Sequence, residues 1–554
     1  MSSATLPSGP PASIEPREYP NRQPSSQVLN MRNVRPSSIA QPLTRTLLLL
    51  AALTSGALAC SNNTSLGARV ADRPCELTEC LRPRYVVGEE MPRYSLEDRM
   101  SFYGVPGVAI AVIEDGEVVS VRGFGTKEAG AQDPVDAETV FSLGSVSKVL
   151  TAAIALRLHA QGKLDIDAPV EEYLSSWTLP EQETAPESKV TLRMILSHTA
   201  GFNVHGFGDF QPGEELPTVL DTLNGEAPAK NEALAFLFEP GTTFKYSGGG
   251  YTLAQLVISE VTGMSFQEAA RSILFEPLGL SRSTFENPLP ASHGNIARAH
   301  DREGQRAALP RGWEAMPEMA ASGAWLSAAD LGRFIAELIG SYRGDGGFLP
   351  RELAADMMTK VAPSQHGLGP RLDGSGQDFI FHHGGANNSY RAWVEGHLAT
   401  GDGLVVLTNG TRGSGLYTEI RNAVADASGW RINRPVHLPE LAPATEALDR
   451  LTGLYRPDAA FPRALRQNAV GWFFDQDLRL TRDGEKLVLN PADEPGREDG
   501  FELIPTAPGR FLLPLSWQRV GIAELVFHRG AGGRAEAMTL EMGNAVSHYD
   551  RVPD

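Results

Sequence analysis

The chain has 554 residues, too many for one compact domain, so two or more folded units are expected. Hydrophobic residues make up 42%, enough for a sizeable core, which excludes a fibrous or disordered chain. The formal charge of -18 repels phosphate backbones and argues against nucleic acid as a partner.

In chain order, the first signal is a targeting segment. Arg45 precedes the apolar run 46–59, which ends in small residues before Cys60. About 14 residues is too short to span a bilayer and reads as the core of a signal peptide. Met31-Arg32 opens a basic start of ordinary length, leaving residues 1–30 upstream of a second candidate start. Residues 1–59 are thus read as extension and signal peptide, and the protein as exported to the cell envelope, periplasm or exterior. Ala57-Leu58-Ala59-Cys60 fits two outcomes. One is a bacterial lipobox with Cys60 lipidated, giving attachment to a membrane. The other is plain cleavage after Ala-x-Ala. The remaining cysteines, Cys75 and Cys80, form either an oxidised pair or two free thiols.

Residues 60–92 are polar and irregular and read as a tether. Ser95 starts a short helix. Val108–Ile113, Asp115-Gly116 and Val118–Val121 read as a hairpin. A helix runs from Ser145 to a stop at Gly162. Others follow at Tyr251–Val261, after Ser265, and after Ser327. Tyr390–Leu398 and Leu404–Leu407 form a second hairpin, followed by a helix over about 417–427. Hairpins at both ends with helices between predict an α+β domain over 93–433: an antiparallel sheet flanked by helices plus a helical subdomain. Prolines mark 434–444 as a linker. The short, turn-punctuated segments of 445–554 predict a small all-β domain.

Three segments carry chemistry. Ser145-Val146-Ser147-Lys148 places a hydroxyl and an amine one helical turn apart. A serine needs an adjacent base to attack, and a lysine serves only when desolvation or a neighbouring cation favours the neutral amine. Alone, the motif is weak and reads more readily as a capping serine with an exposed lysine. Tyr246 precedes Ser247 and three glycines, read as a tight loop presenting a phenol for proton transfer; a core tyrosine beside a turn is the bland alternative. His382-His383-Gly384-Gly385-Ala386 precedes the second hairpin. Its glycines would admit substrate to a strand edge, where the Ala386 N–H joins that of Ser145 as an oxyanion hole. The histidine pair hints at a metal, but neither H-E-x-x-H nor clustered carboxylates accompany it, and no metal site is assigned.

Taken in order, Ser145-x-x-Lys148, Tyr246-Ser247-Gly248 and His383-Gly384-Gly385 resemble the S-x-x-K, Y-x-N and H/K-x-G triad of the serine β-lactamase-like superfamily. The nearest branch is the class C β-lactamase, D-Ala-D-Ala carboxypeptidase and family VIII esterase group. Leu196–Phe202, Phe275–Leu280 and Ala321–Asp330 are similar to the same family. The resemblance covers about 95–430, and the trailing domain resembles the lipocalin-like domains fused to such enzymes. It implies that Ser145 is acylated, Lys148 takes its proton, and Tyr246 activates the deacylating water and protonates the leaving group. It also places His383, Gly248, Gly384 and Gly385 against substrate and implies no cofactor. Gly248 replaces an amide-binding asparagine, and His383 stands where lysine is common, so its hold on a carboxylate is expected to weaken as pH rises through the imidazole pKa. These departures favour a metal-independent hydrolase of small esters, or of D-amino-acid peptides or amides. The alternatives are a class C-like β-lactamase, a penicillin-binding sensor without turnover, or a scaffold. The oligomeric state is not legible.

Overall fold

The computed structural model describes residues 76–181, 189–309, 312–458, 474, 476–492, 500–514, 523–542 and 545–553. The signal segment, Cys60 and Cys75 lie outside the described residues; Cys80 is disulfide-bonded. Among the described residues no helix is long and apolar enough to cross a membrane.

The larger part is an α+β fold around one antiparallel sheet. Its strands are β1 (Gly107–Glu114), β2 (Glu117–Gly125), β3 (Arg371–Asp373), β4 (Ile380–Ala386), β5 (Arg391–His397) and β6 (Gly403–Thr408), in the order β2-β1-β6-β5-β4-β3. The β1–β2 turn is Asp115-Gly116, both at positive φ, as a two-residue hairpin loop requires. Alternation along β1 sends Ala109, Ala111 and Ile113 into the main core and Val108, Ile110 and Val112 into a second core on the other face. The second core is closed by the helices Leu96–Tyr103 and Gly413–Ser428. The main core surrounds the helix Ser147–Ala160, almost every residue of which is buried.

Two polar segments do not behave as spacers. Residues 85–87, within the expected tether, pair in parallel with residues 436–438, within the expected linker. Arg82 is fully buried, and its guanidinium makes two 2.6 Å bonds to the Asp426 carboxylate and a third to the Asn433 carbonyl. The partners lie more than 340 residues away, so local composition read them as loose chain.

In the C-terminal part, eight strands among the described residues close into an antiparallel barrel from Gly453–Pro457 to Ala545–Arg551. Tyr455, Leu480, Leu489, Phe511, Leu525, Met538, Leu540 and Tyr549 pack together as its core, as expected for a barrel of this size.

Candidate active site

The nucleophile turn is set by backbone pairing. Val140–Ser142 pairs with Trp325–Ser327, Leu143 N–H donates to Ala324 O, and Gly144 turns the chain at φ 49° into the buried helix. Ser147 fastens the turn: its Oγ donates to Gly144 O at 2.6 Å and accepts from Ala324 N–H at 2.9 Å. Ser145 is left partly exposed at the helix start.

Lys148, one turn later, is only 2% exposed. Its Nζ donates to Ser145 Oγ at 3.1 Å and to Ala321 O at 2.7 Å. The carbonyl belongs to the short helix Met319–Ser322, anchored by Ala320 N–H donating to Gln255 Oε1 and by Thr151 Oγ1 donating to Ala320 O. The amine therefore cannot swing into water. It lies 4.9 Å from the centre of the Tyr246 ring and 5.5 Å from that of Tyr251.

Tyr246 directly precedes the helix Gly248–Thr262, whose N-cap is Ser247. The three glycines are the first turn of this helix rather than a tight loop ahead of it. A Cβ on Gly249 would lie 2.6 Å from Leu234, and one on Gly248 would lie 2.9 Å from the Phe207 ring and 3.1 Å from His205 O. Their smallness lets the helix start pack against residues 204–207. Phe207 thus stands against the place where a Gly248 side chain would project.

The strand β4 meets the nucleophile turn edge to edge. Its neighbour β3 pairs only with residues 380–382, leaving the edge of 383–386 facing residues 143–145. A Cβ on Gly385 would lie 1.8 Å from Leu143 O, and one on Gly144 would lie 2.5 Å from Ala386 N. Gly385 is thus small because protein backbone fills the place of its side chain. A side chain on Gly384 would point to the other side of the sheet, toward Trp393 and Tyr417. Alternation also parts the histidines: His382 stacks on Trp393, whereas His383 lies 6.5 Å from Tyr246, so they are not a ligand pair.

His383 differs from expectation in charge. It is buried, and burial, then Arg371 and Lys148, push its pKa down to about 3. It stays neutral over the physiological range and is not a pH-dependent anchor for a carboxylate. His198 and His366, which the sequence reading did not single out, pack around Tyr246 at 4.2 and 6.1 Å between ring centres. Burial and neighbouring positive groups hold both far below the usual histidine range. His198 accepts the Ser247 N–H on Nδ1 at 3.1 Å, and its carbonyl accepts Lys245 N–H, bracketing Tyr246.

Arg371 was also missed. Desolvation lowers its pKa, and the phenols of Tyr246 and Tyr417 act in the opposite direction. Its Nε has no hydrogen-bond partner among the described residues. No sequence motif marks it; it arrives by pairing opposite His382.

A family profile described as Beta-lactamase matches residues 95–428, more than half of the chain and all of the segments above. The chain belongs to the Beta-lactamase family. Relatives in this family include Penicillin-binding protein 4 of Amycolatopsis lactamdurans, 28% identical over 65% of this chain and 95% of its own length. Esterase EstB of Burkholderia gladioli is 27% identical over 49% of this chain and 74% of its own. The octameric penicillin-binding protein homologue from Pyrococcus abyssi shares the fold, with a TM-score of 0.52 at 22% identity over 82% of this chain and 98% of its own. Beta-lactamase family members are serine hydrolases, and the hydrogen-bonded Ser145–Lys148 pair lies in the matched segment.

Proposed function

We propose that this protein is an exported acyl hydrolase working through an acyl-enzyme on Ser145. The observation that carries this reading is the Lys148 amine, excluded from water and held at hydrogen-bond distance from the Ser145 hydroxyl. Lys148 takes the serine proton as Oγ attacks the substrate carbonyl. The N–H groups of Ser145 and Ala386 receive the oxyanion, and Tyr246 returns a proton to the leaving group and then activates water. These groups supply nucleophile, base and oxyanion donors, so the reading needs no metal or cofactor.

Small esters and D-amino-acid peptides or amides are the favoured substrates. Phe207 standing against Gly248 leaves no side chain there to hold the amide of a β-lactam. A carboxylate on the substrate meets Arg371 rather than a charged His383. The test is a panel of p-nitrophenyl butyrate, D-alanyl-D-alanine peptides and a chromogenic cephalosporin, with Ser145→Ala as control. Multiple turnover of ester or peptide, lost in Ser145→Ala to near background, is expected. Equal turnover by Ser145→Ala overturns the assignment, and stoichiometric acylation without turnover makes the protein a sensor.

A further inference from the structure

The oxyanion hole takes its two N–H groups from segments far apart in the chain, Ser145 at the nucleophile turn and Ala386 on β4. Whatever fixes the gap between those segments decides whether both donors reach one oxygen. The sheet does not fix it. β3 pairs with β4 only as far as His382, whereas β5 holds the opposite edge through Ala386. Residues 383–386 therefore meet the nucleophile turn without a ladder between them, Gly385 packing on the Leu143 carbonyl and Gly144 on the Ala386 backbone. Among the described residues a single hydrogen bond joins 142–145 to 383–387. It runs from Asn387 Nδ2 to Ser142 Oγ.

Both ends of this bond are braced. Asn387 is buried and directly follows Ala386. Its N–H donates to Tyr390 O at 3.2 Å, and the Arg391 guanidinium donates to the carbonyls of Asn387, Asn388 and Tyr390. The same turn is held from outside by Asn388 N–H donating to Asp209 Oδ2 at 2.7 Å and by Ser389 Oγ donating to Glu314 Oε1 at 2.9 Å. Ser142 is buried too, pairs opposite Trp325, and precedes Leu143, Gly144 and Ser145. Parting strand and turn by about 1 Å would take the bond out of its ordinary range and leave a buried amide without its partner.

We propose that Asn387 and Ser142 form a latch that sets the width of the oxyanion hole, which makes Asn387 a positioning residue for the reaction at Ser145. This rests on the acyl-hydrolase reading and adds to it. The latch acts through its neighbours: Ala386 lies one residue before Asn387, and Ser145 three residues after Ser142. Negative charge develops on the substrate oxygen as the tetrahedral state forms, so loosening the latch falls mainly on the transition state and spares ground-state binding.

The experiment measures kcat and KM of Asn387→Ala, Ser142→Ala and the double variant, with whichever substrate of the panel the wild-type protein turns over fastest. Inhibition by n-butylboronic acid is measured beside it. Its boron accepts the Ser145 oxygen as the hydroxyl proton passes to Lys148, and the tetrahedral anion reads the oxyanion hole without turnover. Each single variant should lose at least about tenfold in kcat with KM changed less than about twofold, and Ki for the boronic acid should rise about as far as kcat falls. The double variant should fall little further than either single one, because both remove the same bond. Thermal melts confirm folding. Should Asn387→Ala not fold, Ser142→Thr replaces it: the hydroxyl is kept, and kcat should stay within about threefold of wild type while Ser142→Ala loses it. A loss carried by KM, an unchanged kcat, a Ki that stays put while kcat falls, losses that multiply in the double variant, or equal losses in Ser142→Thr and Ser142→Ala each overturn the latch. With turnover still abolished in Ser145→Ala, those results leave the acyl-hydrolase reading intact. Turnover that survives Ser145→Ala removes that reading itself.

Discussion

Adding one methyl group at Gly385 should separate catalysis from folding. A Cβ there would lie 1.8 Å from Leu143 O and 3.2 Å from Ser145 N, whereas ordinary contact begins at 3.4 Å. Relief requires the oxyanion strand and the nucleophile turn to part by roughly 1.5 Å. A shift of that size takes the Ala386 N–H out of reach of an oxyanion positioned by Ser145. Loss of one such donor costs about 10²–10³ in kcat, or roughly 3–4 kcal/mol of transition-state stabilisation. Gly384→Ala is the matched control, because its new methyl group would first meet the Trp393 ring at 3.5 Å, on the far face of the sheet. The assay is kcat for p-nitrophenyl butyrate in both variants, with thermal melts confirming that each is folded. Gly385→Ala should lose about two orders of magnitude, and Gly384→Ala no more than about a factor of two. A Gly385→Ala protein that keeps over about a tenth of wild-type kcat, or a Gly384→Ala protein that falls equally far, would refute the edge-to-edge oxyanion geometry.

Arg371→Gln should raise KM at least about tenfold for substrates bearing a carboxylate on the leaving side, with a much smaller effect on uncharged esters. Equal losses for both classes would count against a charge-anchoring role. Stability should fall with acidification. His198, His366, His382 and His383 are held below 6.5, so below that pH the unfolded chain binds protons that the native state refuses. Their contribution is complete above about pH 6.5 and declines as pH falls. Glu314 and Glu318, raised from 4.5 to about 7, act oppositely over about pH 4.5–7 because the native state keeps their protons longer. His205, His293 and His300 are lowered as well, so the lowered groups outnumber the raised Asp209, Glu314 and Glu318, and the net effect is a loss of stability as pH falls between about pH 6.5 and 4.5. Urea midpoints across that range measure it, and a flat or inverted profile would contradict the buried neutral state of the histidines.

What the sequence disclosed was mostly local. Ser145 and Lys148 meet because three residues make nearly one helical turn, and that follows from spacing alone. Asp115-Gly116 marks a hairpin because its residues tolerate positive φ, and the turn occurs where expected. Helix stops at Gly162 and Gly263 follow the same logic. Glycine itself was the main source of misreading. Gly248–Gly250 were taken as a tight loop and Gly385 as access for substrate, yet their lack of a side chain serves close packing against Val204, Leu234, Phe207 and Leu143. A sequence shows that a side chain is missing but not what occupies the space. Arg371, His198, His366 and Asn387 carry no local pattern. They converge through strand register and loop packing between segments far apart in the chain, as the pairing of residues 85–87 with 436–438 also does.

The histidines around Tyr246 show why the cleft needs polar groups without charge. Lys148 and Arg371 already concentrate positive charge beside the phenol, and a further cation at His198 would repel both. A phenylalanine at that position would preserve the stacking on Tyr246 but leave the Ser247 N–H without its acceptor. Neutral imidazole satisfies both demands: an aromatic face 4.2 Å from the Tyr246 ring centre and a lone pair on Nδ1 for the backbone. That bond also fixes the tautomer, since an accepting Nδ1 places the proton on Nε2. The same desolvation that keeps these rings uncharged raises Glu314 and Glu318. A single physical cause therefore keeps the imidazoles beside Lys148 and Arg371 uncharged and makes the Glu314 and Glu318 carboxyls hold their protons to higher pH.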